Sequence, residues 1–243
     1  MSATKPVILE LTDVSLSFQV KAKSFDRGRH HVLQDVSMQL YDGETLGIVG
    51  RNGVGKTTLL RVLAGILAPT KGRVTMARGK SASLLTLGLG FKPDLTGRDN
   101  AFLSAMLQGS SREQALSFLD DIKDFSELGD SFDEPVKNYS SGMRSRLAFT
   151  TALMTHVDVL LIDEILSVGD AHFRGKALAA MEARITGKQA VVFVSHMADQ
   201  VQKLCDRVIW LDNGNIVANG DAKEVTSAYA ESVAQRRKDK MEA

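Results

Sequence analysis

The chain has 243 residues, 44% of them hydrophobic, which suffices for one sizeable core with a smaller lobe attached and excludes a disordered chain. Lys and Arg number 30 against 29 Asp and Glu, so no overall field gathers the chain onto nucleic acid or an anionic membrane, and no nucleic-acid partner is expected. The single cysteine, Cys205, excludes an internal disulfide, Met1 to Pro6 lacks a signal-peptide pattern, and no apolar run approaches the roughly 20 residues that cross a bilayer; a reducing cytoplasm is expected, with any membrane role coming through a partner.

Apolar residues mostly alternate with polar ones from Val7 to Phe18, and again at Val36, Met38 and Leu40, which predicts half-buried strands of an antiparallel sheet. The basic interval Lys21 to His31 between them reads as a loop. Thr45 to Val49 is a short buried strand running straight into Gly50-Arg51-Asn52-Gly53-Val54-Gly55-Lys56-Thr57, and Lys56 to Leu67 carries the leucine spacing of a helix. A more polar stretch, roughly Leu95 to Thr155, reads as a helical lobe, with Gln114 to Ile122 at helical spacing. Two continuous apolar runs follow, Val159 to Ile162 ending in Asp163-Glu164 and Ala190 to Val194 ending in Ser195-His196; such runs suit central strands covered on both faces. Val208 to Leu211 and Ile216 to Ala218 flank Asp212-Asn213-Gly214-Asn215, a hairpin signal because Asn-Gly accepts the positive φ of a tight turn. The tail from Ala222 is helical in pattern and ends in a charged run, Arg236 to Lys240. Cys205 reads as a small buried group, Trp210 as strand packing and the methionines as core filler.

The glycine loop matches the pattern Gly-x4-Gly-Lys-Thr. Its glycines let backbone N–H groups turn inward around a phosphate, Lys56 reaches the β and γ phosphates, the helix N-terminus faces the same anion, and the Thr57 hydroxyl can ligate Mg²⁺. Strand, loop and helix follow in the order such a site requires, so ATP and Mg²⁺ are the expected cofactors, bound by Gly50 to Thr57 with Thr58. The strand ending at Asp163 supplies a carboxylate near the metal, and Glu164 is placed to polarise the attacking water. His196 ends a second strand at the same edge of the sheet, where its imidazole can bond the γ-phosphate.

Asn138-Tyr139-Ser140-Ser141-Gly142-Met143-Arg144-Ser145-Arg146-Leu147 is a small hydroxylated turn opening an Ala/Leu-rich helix, which makes it a second anion site. It resembles the signature motif of ATP-binding cassette (ABC) ATPases, usually Leu-Ser-Gly-Gly-Gln. The glycine loop, the Asp163-Glu164 strand, Ser167-Val168-Gly169-Asp170 and His196 occur in that family's order. The resemblance implies a single α/β domain over residues 1–243: a RecA-like parallel-sheet P-loop core, an N-terminal antiparallel β-subdomain and a helical subdomain. It further implies a homodimer in which Ser140, Ser141 and Gly142 act in trans on the triphosphate of a second copy, with Glu164 and His196 as catalytic residues and Thr57 and Asp163 at the metal. The signature departs from the usual pattern at Tyr139, Ser141 and Met143, so the role of the usual glutamine is not carried over to Met143.

The variant Tyr-Ser-Ser-Gly-Met looks like the branch that exports lipid-linked bacterial polysaccharides: O antigens, capsules and teichoic acids. Leu87-Gly88-Leu89-Gly90-Phe91-Lys92-Pro93-Asp94-Leu95-Thr96-Gly97-Arg98-Asp99-Asn100 and Asp163 to Phe173 are similar to that branch's segments. This resemblance implies integral membrane permease subunits as partners, met by a loop containing Gly88, Gly90 and Phe91, a lipid-linked polysaccharide as cargo, and a peripheral location on the cytoplasmic face of the inner membrane. The family's metal-touching glutamine before that segment is replaced by Thr86-Leu87. The basic interval Lys21 to His31 corresponds to the branch's insertion near the membrane surface, suited to lipid phosphate. An adenine-stacking ring is expected on this stretch or just before it, with Phe18, Phe25 and His31 as candidates. The chain most resembles an O-antigen exporter ATPase lacking a C-terminal carbohydrate-binding domain. A soluble ABC ATPase of nucleic acid or ribosomes is the alternative; it needs a long coiled coil, a second cassette or a basic surface, none of which the sequence carries.

Overall fold

Two strands of matched length, β1 (Val7–Gln19) and β2 (Arg29–Tyr41), pair antiparallel and bury Ile8, Leu9, Leu11, Val14, Leu33, Val36 and Leu40. The computed structural model describes residues 5–19, 28–163, 171–195 and 197–242, with side chains described to Arg236 except that of Ala171. The alternation slips at two bulges where Asp13 and Asp35 adopt positive φ, and each is tied to a serine on the opposite strand, Asp13 with Ser37 and Asp35 with Ser15. The strand β2 begins at Arg29, so His30 and His31 lie in the sheet and not in the loop expected to run to His31; pairing with Phe18 and Ser17 overrides their polarity.

The chain divides into two units by its internal contacts, residues 1–82, 159–164 and 185–243 in one, 83–158 and 165–184 in the other. In the first, β3 (Thr45–Val49) leads through the glycine loop to α1 (Lys56–Leu63). The helix stops four residues short of the expected Leu67. Gly65, at φ 69°, lets its N–H reach the Val62 carbonyl while Ile66 N–H reaches that of Arg61, the paired bonds of a Schellman stop. Then β4 (Lys71–Met76) joins the free side of β1, a strand the sequence reading missed because its surface is mostly exposed and starts with Lys71-Gly72-Arg73. The short β5 (Ala82–Leu84), also missed, lies where the chain passes between units.

The helical unit contains α2 (Gly97–Leu107), α3 (Arg112–Ser117), α4 (Leu119–Ser126), α5 (Ser141–Met154) and most of α6 (Ala171–Ile185). The single helix expected over Gln114 to Ile122 is two helices that meet at Phe118, with Ser111 and Gln114 forming a reciprocal capping box on the first. Ala101, Leu119, Ile122, Phe132, Val136, Tyr139 and Leu147 form its core, with Phe91 and Met143 packed against it.

Back in the first unit come β6 (Val159–Asp163), β7 (Ala190–Val194), α7 (Ala198–Leu204), β8 (Arg207–Asp212), β9 (Asn215–Asp221) and α8 (Ala222–Glu242). The sheet order is β5-β6-β7-β3-β8-β9, parallel from β6 to β8 and closed by the antiparallel hairpin β8–β9. That hairpin turns on Asn213 and Gly214 alone, both at positive φ. Every residue of β3 and β7 is buried, and α7 lies so close over β3 that a Cβ at Gly47 would sit 2.5 Å from Val201 and 2.9 Å from the Cys205 sulfur. Glu44, 6% exposed, ends the β2–β3 turn in a two-point pair with Arg207, at 2.7 and 3.0 Å. Tyr229 of α8 stacks edge-on against Trp210, and Arg236 pairs with the buried Asp212 at 2.7 Å.

Candidate functional site

The register of the parallel sheet decides where the chemistry lies. Asp163 pairs with Val194, Ile48 pairs with the same Val194, and Val49 opens directly onto Gly50, so the glycine loop and Asp163 emerge at one edge, the carboxyl end of the strands. A cavity of about 540 Å³ opens there, lined by Asn52, Gly53, Gly55, Lys56, Thr57, Thr58, Asp163 and Ser195, with Phe18, His30 and Val32 from the β1–β2 pair on its other side.

The loop has its shape for steric reasons. A side chain at Gly50 would meet the Leu211 carbonyl at 2.3 Å, and one at Gly55, where φ is 104°, would meet the Val32 carbonyl at 2.8 Å. Lys56 Nζ donates to the carbonyls of Gly50 at 2.6 Å and Arg51 at 2.8 Å, so the loop's own backbone holds the cation at the mouth of the cavity. Thr57 and Thr58 stand on the first turn of α1, whose N-terminal N–H groups face the same space. Thr57 and Asp163 are both hard oxygen donors on this cavity, and the described residues contain no group of three or more His, Cys, Asp or Glu that could hold a metal alone. Such a sparse oxygen set fits Mg²⁺, which keeps waters and takes phosphate oxygens as its remaining ligands.

Glu164, His196 and Ser167 to Asp170 lie outside the described residues. Of the expected ring candidates, Phe18 lines the cavity, Phe25 lies outside the described residues, and His31 lines a neighbouring polar cavity with Arg51, Asn52 and Asp212. His30 lines both, and the sequence reading missed it: Arg29-His30-His31 has no apolar alternation, and only the pairing of β2 with β1 sets His30 opposite Phe18.

The signature turn belongs to the helical unit. Ser140 and Ser141 are exposed, and the Ser140 oxygen accepts the Met143 N–H at 3.2 Å as the cap of α5, which leaves its hydroxyl hydrogen to donate elsewhere. Met143, where the usual pattern has glutamine, packs on the core of this unit. Tyr139, where the pattern has leucine, is 5% exposed and donates its hydroxyl to the Ser131 carbonyl. Burial, and the neighbouring Asp133 and Glu134, push its pKa up to about 12. Behind the turn, Arg146 of α5 and Lys176 of α6 both pair with Glu127, at 3.2 and 2.9 Å, and Lys176 first, then Arg146, hold that carboxyl below its usual range. Gly88, Gly90 and Phe91 form a loop of the same unit, with Gly90 exposed and packed against Leu107.

A buried strand, a phosphate-shaped glycine loop, a following helix and a carboxylate at the adjacent strand end define a P-loop nucleoside triphosphatase. This chain belongs to the ABC transporter family, whose model matches residues 33–167, and ATP hydrolysis is its chemistry. It is 41% identical to the O-antigen export system ATP-binding protein RfbB of Klebsiella pneumoniae, across 86% of this chain and 85% of that one. It is 43% identical to the teichoic acids export ATP-binding protein TagH of Listeria innocua, across 83% of this chain and 59% of that one. Among solved structures, an ATP-binding subunit of an ABC transporter superposes with a TM-score of 0.71 at 20% identity, over 92% of this chain and 93% of that one. A dimeric ATP-binding cassette bound to ADP and Pi gives 0.68 at 19% identity, over 88% and 99%. Both share the fold.

Proposed function

We propose that this chain is the ATP-hydrolysing subunit of an exporter that moves a lipid-linked polysaccharide of the O-antigen type across the cytoplasmic membrane, working as a homodimer on the cytoplasmic face of integral permease subunits. The observation that carries the reading is the variant signature Tyr139 to Met143 together with Leu95 to Asn100, in a chain whose relatives are named for O-antigen and teichoic acid export.

The triphosphate lies along Gly50 to Gly55, with the Lys56 ammonium exchanging its two backbone carbonyls for β and γ phosphate oxygens. Thr57 and Asp163 would hold Mg²⁺, which would supply positive charge to offset that of the phosphates. Glu164 polarises the attacking water and His196 bonds the γ-phosphate. One copy has one glycine loop and one exposed signature turn, so Ser140, Ser141 and Gly142 donate to the triphosphate of the second copy, the Ser140 hydroxyl hydrogen being available for it. Closure of the dimer on ATP and reopening after hydrolysis supply the motion. Phe18 stacks on adenine, supported by its place on the cavity wall.

The permease contact is assigned to the loop with Gly88, Gly90 and Phe91. Leu107, 61% exposed and beside Gly90, with Leu89, Leu103 and Met106, extends this region as an apolar surface suited to a membrane subunit. No described helix is long and apolar enough to cross a membrane.

The deciding experiment replaces Lys56 by Ala in cells that make the native glycan and identifies what accumulates inside. A lipid-linked polysaccharide is expected. Unaltered export of surface glycan, or a defect in translation with no glycan retained, overturns the assignment.

A further inference from the structure

Within the helical unit, an unbroken series of bonds connects the Gly88–Phe91 loop with the signature turn. Phe91 N–H reaches the Gly88 carbonyl at 3.1 Å. Asn100, 1% exposed, then fixes the next stretch: its Oδ1 accepts Lys92 N–H at 2.6 Å and its Nδ2 donates to the carbonyls of Lys92 at 3.0 Å and Thr96 at 2.8 Å. Residues 93–97 lie beside 134–137 around a single antiparallel bridge of Thr96 with Pro135, with Lys137 N–H on Pro93, Val136 N–H on Leu95 and Gly97 N–H on Glu134. Two residues beyond Lys137 comes Tyr139, whose ring is in the core and whose hydroxyl is bonded to Ser131.

That hydroxyl stands where a side chain at position 97 would have to be. A Cβ on Gly97 would lie 2.2 Å from the Tyr139 oxygen and 2.8 Å from the Phe132 carbonyl. The glycine of the Leu-Thr-Gly-Arg segment and the tyrosine of the signature are thus the two halves of one contact, and a leucine at 139 could neither need that gap nor bond Ser131.

We propose that Tyr139 is a positioning residue for the signature turn and that Gly97 is the gap that admits it, so that residues 88–100 and Ser140 to Gly142 move as one rigid piece. A displacement of the Gly88–Phe91 loop then reaches the Ser140 hydroxyl without slack, because each step between them is a hydrogen bond or a van der Waals stop. The inference rests on the reading that Ser140 to Gly142 complete the site of a second copy.

The test uses the full chain carrying Glu164→Gln, and measures the ATP concentration for half-maximal dimerisation together with nucleotide affinity at low protein concentration, where the monomer prevails. Ser140→Arg comes first. If it dimerises on ATP as its parent does, the two-copy reading fails and this inference with it. If it blocks dimerisation, that reading stands, and Tyr139→Phe is expected to raise the ATP requirement about fivefold to tenfold, the weight of one neutral hydrogen bond, while monomer affinity changes less than about twofold. Gly97→Ala is expected to raise it about tenfold or more, and less than about threefold when combined with Tyr139→Leu, the Phe132 carbonyl still resisting. Tyr139→Phe keeps the ring in the core, so it stays informative should Gly97→Ala fail to fold. A parental ATP requirement in Tyr139→Phe, or an equal cost of Gly97→Ala with and without Tyr139→Leu, overturns the proposal even if Ser140→Arg blocks dimerisation.

Discussion

The Lys56 ammonium lies 2.6 Å from the carbonyl oxygen of Gly50, so the cation meant for the triphosphate is kept in place by the loop it will later bridge. A backbone carbonyl is a neutral acceptor, and a phosphate oxygen competes with it on charge alone. Lys56→Ala is expected to lower ATP hydrolysis by at least about 100-fold, the scale seen when one preorganised donor to a developing charge is lost. Phosphate release under saturating ATP measures it, and a rate within tenfold of the parent would remove Lys56 from the machinery.

Arg207 and Glu44 are expected to matter for stability and not for the chemistry. The pair is bonded at two points, Glu44 is almost fully enclosed, and Arg207 also reaches the Gln39 carbonyl and Asn219 while lying over the Tyr41 ring. Arg207→Ala leaves a buried carboxylate without its partner, a change that costs about 3–5 kcal/mol. Chemical denaturation followed by Trp210 fluorescence should show it, whereas Glu44→Gln with Arg207→Ala should recover part of the loss. Equal stability of both variants would contradict the account.

Alkali should weaken the helical unit through Tyr139. Its pKa rises on folding from 10.0 to about 12, so the unfolded chain loses the phenolic proton first. The stabilisation is complete below pH 10 and is lost as pH climbs toward 12. Helical circular dichroism during thermal melts across that range should show a falling midpoint, less steep in Tyr139→Phe, where the group is absent. An unchanged slope in that variant rules out Tyr139 as the source.

Cys205 should be inert in the native protein. Burial, followed by the nearby Asp206 charge, pushes its thiol up to about 12, and only the thiolate reacts. Titration with a disulfide reagent near neutral pH is expected to find no rapidly reacting thiol until denaturant is added, and one afterwards. Fast labelling of the folded chain would show that the contact of α7 with Gly47 opens readily.

The strands β3, β6 and β7 were legible because a strand covered on both faces is apolar throughout, which survives any arrangement of its neighbours. The Asn213-Gly214 turn was legible for an equally local reason, the positive φ that both residues adopt. By contrast, β4 escaped because an edge strand with an exposed surface has no apolar period, and its assignment depends on β1 having a free side. The helix over Gln114 to Ile122 was read through Phe118, since spacing does not report where a chain bends.

Residue chemistry and order along the chain, read without coordinates, thus determined the phosphate loop, the Asp163 strand end, the signature turn and the family they make together. Those are local features, complete within a few residues, and they impose their geometry wherever the chain carries them. What only the tertiary structure decided are relationships between distant segments: that Phe18 and His30 line one cavity with Lys56 and Asp163, and that Tyr139 is admitted to the core by the missing side chain of Gly97. Sequence spacing cannot express a 2.2 Å exclusion between two residues on separate segments; packing can, because two atoms cannot occupy one place.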